Sequence, residues 1–183
     1  MTAPKRHQHY APGDILLSTE RLAEIVARLG SEITDDYKDK DPVLVNLLKG
    51  GVVFLADLIR QLPIPHQIDF LSVSSYDGER STGVVRIIED LETNITDRHV
   101  IVVEDVLDTG QTLAYILDML KIRSPRSLEV CSLLKKRSSR HAEVDIRYLG
   151  TEIPDVFVVG YGLDYDEKYR NLPYIAKLVV PED

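Results

Sequence analysis

The chain has 183 residues, a formal net charge of −8 and 44% hydrophobic residues. This length suits one domain, and the acidic balance argues against a general role on nucleic acid or on a membrane surface, because both need a basic face. A lone cysteine, Cys131, excludes an intramolecular disulfide, and with no apolar run long enough for a membrane span the expected location is the reducing cytoplasm.

The first predicted elements are a tail and a helix. Residues 1–13 contain prolines and a glycine without hydrophobic periodicity, which predicts a flexible tail ahead of a single domain of residues 14–183. After it, apolar residues recur at helical spacing as far as Ile33. Ser18 or Thr19 stands at the position that caps such a helix.

A buried strand and a second helix are expected next. Residues 43–48 form a short apolar run, which is typical of a strand covered on both faces. The segment Lys49-Gly50-Gly51 interrupts this run. Apolar spacing over residues 55–62 then predicts a helix that ends before Pro63.

The remaining elements alternate between strands and one clear helix. Residues 68–75 and 84–90 have strand patterns, and the polar, glycine-bounded connection between them lacks apolar anchors, which predicts a mobile loop. The helix carries Leu113, Ile116, Leu117 and Leu120. Further strands are expected over residues 100–103, 127–134, 156–160 and 174–180. The alternation predicts an α/β fold with a mainly parallel, twisted sheet flanked by helices.

Unusual residues follow four of the predicted strands. In an open parallel sheet, ligands bind beyond the carboxyl ends of the strands. The four segments are Lys49-Gly50-Gly51, residues 104–112, Lys135-Lys136-Arg137 and residues 160–164. Their coincidence predicts one shared site that contains cations, carboxylates and glycines.

The segment 104–112 has two chemically different halves. Its second half lies where a strand ends and a helix begins, so the helix N–H groups favour a phosphate and Gly110 permits close approach. The carboxylates of Glu104 and Asp105 would repel that phosphate, and must therefore face hydroxyl groups, a divalent cation or both. A ribose 5-phosphate satisfies both halves. The alternative is an ordinary helix start capped by Thr109, which this loop alone does not exclude.

With its flanks, this loop resembles the phosphoribosyl pyrophosphate (PRPP) signature of the type I phosphoribosyltransferases, and the chain is similar to the hypoxanthine-guanine phosphoribosyltransferase family among them. The match covers about residues 14–180, and is carried by segments 47–50, 74–76, 81–83, 102–113, 133–137 and 154–165, with Arg170. The resemblance implies the type I fold, with a small hood formed by the N- and C-terminal segments. It also implies a glycosyltransferase of purine salvage, which transfers the 5-phosphoribosyl group from PRPP to hypoxanthine or guanine and releases IMP or GMP and pyrophosphate.

The family's roles for the PRPP site carry over to matching residues. Glu104 and Asp105 would hold the ribose hydroxyls, directly or through Mg²⁺, and Asp164 would help to position a second Mg²⁺. The 5-phosphate cradle would consist of Asp108, Thr109, Gly110, Gln111 and Thr112. Pyrophosphate would be bound by Lys49, Gly50 and Arg170, in a loop that has a cis peptide bond in the relatives.

The same resemblance implies a purine site and a closing loop. The purine would be bound by Lys136, which donates to its 6-oxo group, by a stacking Phe157, by the backbone of Val158, and by Asp164. Asp108 fits by position as the general base. Ser75 and Tyr76 would belong to a loop that closes over the reaction and excludes water.

Several alternatives stay open at this point. Lys135 and Lys136 point in opposite directions if the strand continues, so only one of them can face the base. Phe157 could be plain core, and Arg170 could be a surface cation. At the level of function, a PRPP-sensing regulator and an enzyme for xanthine or a pyrimidine are the competing hypotheses. Relatives of this family imply a homodimer or a homotetramer.

Overall fold

The structure of the protein, a computed structural model, describes residues 10–75, 85–137 and 144–179. In chain order its elements are β1 (Ala11–Leu17), α1 (Thr19–Tyr37), β2 (Val43–Leu48), α2 (Val52–Ile59), β3 (Gln67–Ser75), β4 (Val85–Glu89), β5 (His99–Leu107), α3 (Gln111–Ile122), β6 (Ser127–Lys136), β7 (Tyr148–Ile153), β8 (Val158–Val159) and β9 (Ile175–Val179).

The larger sheet has six strands in the order β4-β3-β2-β5-β6-β7. Neighbouring strands run parallel except at the β3–β4 edge, where the pair is antiparallel. The middle of β5 is fully buried between its neighbours, as a strand covered on both faces requires. The predicted α/β fold with a mainly parallel sheet is confirmed.

Helices cover both faces of this sheet because alternate strand residues point to opposite sides. Ile101 and Val103 pack in one apolar cluster with α1 and α2, whereas Val100 and Val102 pack with α3 in another. Helix α1 begins as predicted, since the hydroxyl of Ser18 accepts a hydrogen bond from the Arg21 N–H at 3.3 Å. None of the described helices has the length and apolar character needed to cross a membrane.

A second sheet of three strands, in the order β1-β9-β8, joins the two ends of the chain. Its pairs are antiparallel, and Ala11 lies opposite Val179. The predicted tail was therefore too long at its C-terminal end, because residues 11–13 belong to β1. A strand whose partner lies near the other end of the chain leaves no local signal, which is why the sequence pattern missed it.

Two predicted strands end later than expected, and this changes where the polar residues lie. The segment from Glu104 was expected to follow its strand, but β5 continues to Leu107. Likewise β6 includes Lys135 and Lys136. The ladder between β5 and β6 extends as far as Leu107 opposite Lys135, so tertiary pairing holds both polar segments in strand conformation.

Other boundaries also needed correction. Helix α2 ends at Ile59, because the chain turns there with a hydrogen bond from the Gln61 N–H to the Leu58 carbonyl. Strand β7 was not predicted, since its six residues include Gly150 and two polar side chains. The strand expected over 156–160 is reduced to two residues, Val158 and Val159. The connection 76–83, predicted to be a mobile loop, lies outside the described residues.

Candidate active site

Two adjoining cavities lie where β2, β5 and β6 end. The first has a volume of about 290 Å³ and is lined by Asp105, Asp108 and seven other predicted site residues. These seven are Lys49, Gly50, Lys136, Phe157, Val158, Asp164 and Arg170. The second, of about 260 Å³, is lined by Glu104, Thr109, Gly110 and Thr112 among others. Gly50, Asp105, Val106 and Asp108 line both cavities, so the four polar segments form one continuous site.

The loop before α3 presents free helix N–H groups to the second cavity. Gly110 is the N-cap of α3 and has a φ of 74°, a left-handed conformation that favours glycine. No side chain caps the helix there, so the alternative of a helix start capped by Thr109 is wrong. Gln111, the first residue of α3, lines neither cavity. An uncapped helix N-terminus beside a cavity is suited to bind a phosphate.

Glu104 and Asp105 form a buried acid pair. The Oε2 atom of Glu104 is closed off from solvent and has no hydrogen-bond partner among the described residues. Burial, with the nearby Asp105 charge, raises the pKa of Glu104 well above its usual range. Burial likewise raises the pKa of Asp105 to about 6, although the Val106 N–H at 2.7 Å and the charge of Arg170 oppose the rise. Such a pair gains stability from hydroxyl donors or a cation.

Close packing against this pair requires glycine at position 50. A Cβ atom on Gly50 would overlap the Asp105 carboxylate. The peptide bond between Leu48 and Lys49 is cis, as the resemblance implies. Gly50 therefore lets the loop after β2 approach Asp105 closely, at the junction of the two cavities.

Lys136 and Asp108 meet in the first cavity. The Lys136 ammonium donates a hydrogen bond to Oδ2 of Asp108 at 2.7 Å. Lys136 is only 9% exposed, whereas Lys135 lines neither cavity. The choice between the two lysines that the sequence left open is thus made by the pleat of β6, which turns Lys136 into the cavity.

Phe157 also lines the first cavity. Its ring is half-buried and meets Tyr165 edge to face, with centroids 5.8 Å apart and planes at 90°. The Phe157 carbonyl accepts a hydrogen bond from the Leu178 N–H at 2.9 Å, which ties this wall to β9. Phe157 belongs to neither core cluster. It is therefore a cavity-lining ring and not plain core.

Arg170 is held at the rim by several oxygen acceptors. Its Nη1 donates to the Gly162 carbonyl at 2.8 Å, and its Nη2 lies 2.9 Å from Asp164 and 3.2 Å from Glu167. Its side chain is 25% exposed, so Arg170 is not a free surface cation. The carboxylate of Glu167 also lies 3.3 Å from the Lys49 ammonium. Sequence reasoning missed Glu167, because nothing in its spacing relates it to Lys49.

The two residues expected in the closing loop lie at the edge of the described residues. Ser75 is the last residue of β3. Tyr76 lies outside the described residues, so the role expected for both residues stays a prediction.

The acidic residues around the site fit a cation that is held mainly by its ligand. Within ranges 10–75, 85–137 and 144–179, no three His, Cys, Asp or Glu side chains are grouped as a metal site. Mg²⁺ takes few carboxylates and fills its remaining positions with water and substrate oxygens. The orphaned Oε2 of Glu104 beside Asp105 offers the hard oxygen donors that this ion prefers.

Comparison with known proteins agrees with this geometry. A family model described as phosphoribosyl transferase domain matches residues 12–166. The hypoxanthine-guanine phosphoribosyltransferase of Mycobacterium avium is 49% identical over 185 residues, covering 96% of this chain and 91% of the relative. The hypoxanthine phosphoribosyltransferase of Salmonella typhimurium is 42% identical, over 93% of this chain and 97% of the relative.

A solved structure shares the whole architecture. The hypoxanthine-guanine phosphoribosyltransferase of Bacillus anthracis, with a HEPES molecule in its active site, superposes with a TM-score of 0.88 at 42% identity. The superposition covers 93% of this chain and 99% of that one. The chain therefore belongs to the phosphoribosyl transferase family, and within it to the hypoxanthine-guanine phosphoribosyltransferases. The family resemblance predicted from the PRPP-like loop is confirmed.

Proposed function

We propose that this chain transfers the 5-phosphoribosyl group of PRPP to hypoxanthine or guanine, forming IMP or GMP and pyrophosphate. The observation that carries the proposal is the junction of the two cavities, where Asp105 and Asp108 line both. A phosphate cradle and an acid pair lie on one side of that junction, and an aromatic ring with a buried lysine lies on the other. A sugar phosphate and a flat base can therefore meet there.

PRPP would be held at both ends of its ribose. Its 5-phosphate occupies the second cavity, where the α3 N–H groups and the hydroxyls of Thr109 and Thr112 donate hydrogen bonds. Gln111, which begins α3, contributes its backbone N–H. The ribose hydroxyls donate to Glu104 and Asp105, which replaces their mutual repulsion with hydrogen bonds.

Mg²⁺ is the cofactor that we propose for the site. When bound, it supplies positive charge that stabilises the departing pyrophosphate. Glu104, Asp105 and Asp164 are the residues that would hold it or orient its water molecules. The raised pKa of Asp105 agrees with a carboxylate that receives a cation together with the substrate.

The pyrophosphate group would lie at the rim of the first cavity. Lys49, the backbone of Gly50 and Arg170 line this part of the cavity. Their positive charge and N–H donors offset the negative charge that develops as the bond from C1′ to pyrophosphate breaks. Closure of the loop that carries Ser75 and Tyr76 would keep water from capturing the cationic C1′.

The base would be positioned by residues from three elements. Phe157 stacks on its ring, Lys136 donates to the 6-oxo group, and the backbone of Val158 contacts its edge. Asp108 accepts the proton that the purine ring loses while the bond to C1′ forms. The Lys136 ammonium has three donors, so it can bind Asp108 and the 6-oxo oxygen together.

An assay with purified enzyme tests the proposal. PRPP, Mg²⁺ and a panel of free bases are supplied, and pyrophosphate release is measured for each base. Release with hypoxanthine or guanine supports the proposal, whereas release only with xanthine or a pyrimidine would reassign the base. A complete lack of release, with PRPP binding retained, would favour a PRPP-sensing regulator.

We further propose that the chain from β1 onwards, residues 11–183, acts as one domain in a homodimer or homotetramer, and that the enzyme works in the cytoplasm. Sedimentation of the purified chain tests the oligomeric state. A monomer at micromolar concentration would contradict it.

A further inference from the structure

One carboxylate lies between the two cations that we assign to pyrophosphate. The Oε2 atom of Glu167 is 3.3 Å from the Lys49 ammonium and 3.2 Å from Nη2 of Arg170. No other ion pair described in the structure involves Lys49. Nη2 of Arg170 also lies 2.9 Å from Oδ1 of Asp164. Glu167 therefore occupies donors of both cations at once.

The loop that carries Glu167 is built to hold this position. The Glu167 N–H donates to Oδ2 of Asp164 at 2.9 Å. Tyr165 and Lys168 exchange backbone hydrogen bonds of 3.2 and 3.1 Å around it. Glu167 itself has a φ of 61°, in the left-handed region that glutamate seldom adopts. Such a conformation persists only where the surrounding contacts hold it.

We propose that Glu167 is an internal competitor of pyrophosphate for Lys49 and Arg170, and that it weakens product binding so that pyrophosphate leaves. This inference rests on the proposed function, which places pyrophosphate on these two cations. An oxyanion of pyrophosphate is attracted to the same two cations, but the Glu167 carboxylate already neutralises part of their charge and repels that oxyanion. Pyrophosphate must therefore either bind against this repulsion or displace Glu167 from one of the two cations.

The same loss of binding free energy has different consequences for substrate and product. PRPP is also held by its 5-phosphate at Gly110 and by its ribose at the acid pair, where Glu167 has no contact. Free pyrophosphate lacks both of those anchors. An equal loss of affinity thus leaves PRPP bound but speeds the departure of pyrophosphate. Because Glu167 and Lys49 are largely exposed, each ion pair is weak, and the loss is on the order of two- to tenfold in affinity.

Glu167→Gln tests the proposal, since it keeps the shape of the side chain and removes its charge. Asp166→Asn is the matched control: it removes the same charge one residue away, from a carboxylate whose cation partner is Lys168 at 4.0 Å. The affinity of pyrophosphate with Mg²⁺ is measured by titration calorimetry and by product inhibition. We expect Glu167→Gln to tighten pyrophosphate binding about two- to tenfold, clearly more than Asp166→Asn, and not to raise kcat, since slower pyrophosphate release lowers kcat wherever release limits it.

A third variant separates this inference from the proposed function. Lys49→Met should weaken pyrophosphate binding, and in its background the effect of Glu167→Gln should shrink because one of the two shared cations is gone. Unchanged pyrophosphate affinity in Lys49→Met would remove Lys49 from the proposed pyrophosphate site, and the inference with it. The remaining outcome is that Lys49→Met weakens pyrophosphate binding while Glu167→Gln binds pyrophosphate no more tightly than Asp166→Asn. That result would overturn the competitor role of Glu167 and leave the proposed function intact.

Discussion

The Nζ atom of Lys136 lies 2.7 Å from Oδ2 of Asp108, so the proposed ligand of the purine 6-oxo group and the proposed general base share one hydrogen bond. The two residues come from different elements, the end of β6 and the loop between β5 and α3. Lys136 is buried, while the side chain of Asp108 is 55% exposed. The carboxylate can therefore turn towards a base without leaving the lysine, which remains the fixed partner of the two.

Asp108→Asn should lower kcat by about 100-fold or more, the usual contribution of a positioned acid–base group. The amide keeps an oxygen that accepts from Lys136 but cannot take up a proton. PRPP affinity, measured by calorimetry, should change little. Asp118→Asn is the control, because it removes a solvent-exposed carboxylate of α3 that pairs only locally with Lys121. Turnover near that of the wild type in Asp108→Asn would exclude this residue as the base.

Lys136→Met should raise the KM for hypoxanthine at least tenfold, through the loss of a charged hydrogen bond worth about 1.5–3 kcal/mol. The KM for PRPP should change far less, since the second cavity is not lined by Lys136. Lys135→Met offers a matched control on the same strand, because Lys135 faces away from both cavities. Equal effects of Lys136→Met on the two KM values would contradict its assignment to the purine.

Asp105→Asn should stabilise the free enzyme at neutral pH while abolishing most of its activity. The pKa of Asp105 in the folded protein is about 6, above its ordinary value of 3.8. Below both pKa values the Asp105 carboxyl is protonated in the folded and in the unfolded protein, so folding buries no charge there. Above pH 6 the buried charge destabilises the fold, by up to on the order of 3 kcal/mol at about 1.4 kcal/mol per pH unit.

The increase in the free energy of unfolding caused by Asp105→Asn should therefore be largest above pH 6 and disappear as the pH falls towards 4. Denaturant unfolding at several pH values measures it. Asp35→Asn, at an exposed position of α1, should show no comparable pH dependence. A gain from Asp105→Asn that grew as the pH fell would mean that this carboxylate is not destabilised by burial.

Tyr148→Phe should affect stability without affecting catalysis. The Tyr148 hydroxyl donates to Oδ2 of Asp36 at 2.7 Å, and Tyr148 lines neither cavity. Loss of this bond should lower the free energy of unfolding by about 0.5–1.5 kcal/mol at pH 7. Hydrogen bonds from Tyr148 and Arg147 hold the pKa of Asp36 below its usual value.

This stabilisation is present above the ordinary pKa of Asp36 and is lost as the pH falls through its lowered value in the folded protein. The difference between Tyr148→Phe and the wild type should therefore narrow in acid. Unfolding curves at pH 7 and pH 3 measure the change, and steady-state kinetics check that kcat is retained. A large fall in kcat would indicate that the contact between α1 and β7 reaches the site.

The sequence by itself determined those features that depend on neighbours along the chain. Helix α1 and its Ser18 cap follow from hydrophobic spacing and local hydrogen bonding over a few residues. The prediction that residues 109–112 bind a phosphate follows from a strand, a glycine and a helix start in succession. The family resemblance could also be recognised from the sequence, because each of its motifs is a contiguous segment.

Only the tertiary structure decided which distant side chains meet. The β5–β6 ladder holds Glu104 in a strand, and the β6–β7 ladder holds Lys136 in one, although the polarity of neither residue favours it. The pairing of β1 with β9 joins segments at opposite ends of the chain. Glu167 reaches Lys49 across 118 residues. Strand order and register set these distances, and both arise from burying apolar surface between elements, which no window of sequence contains.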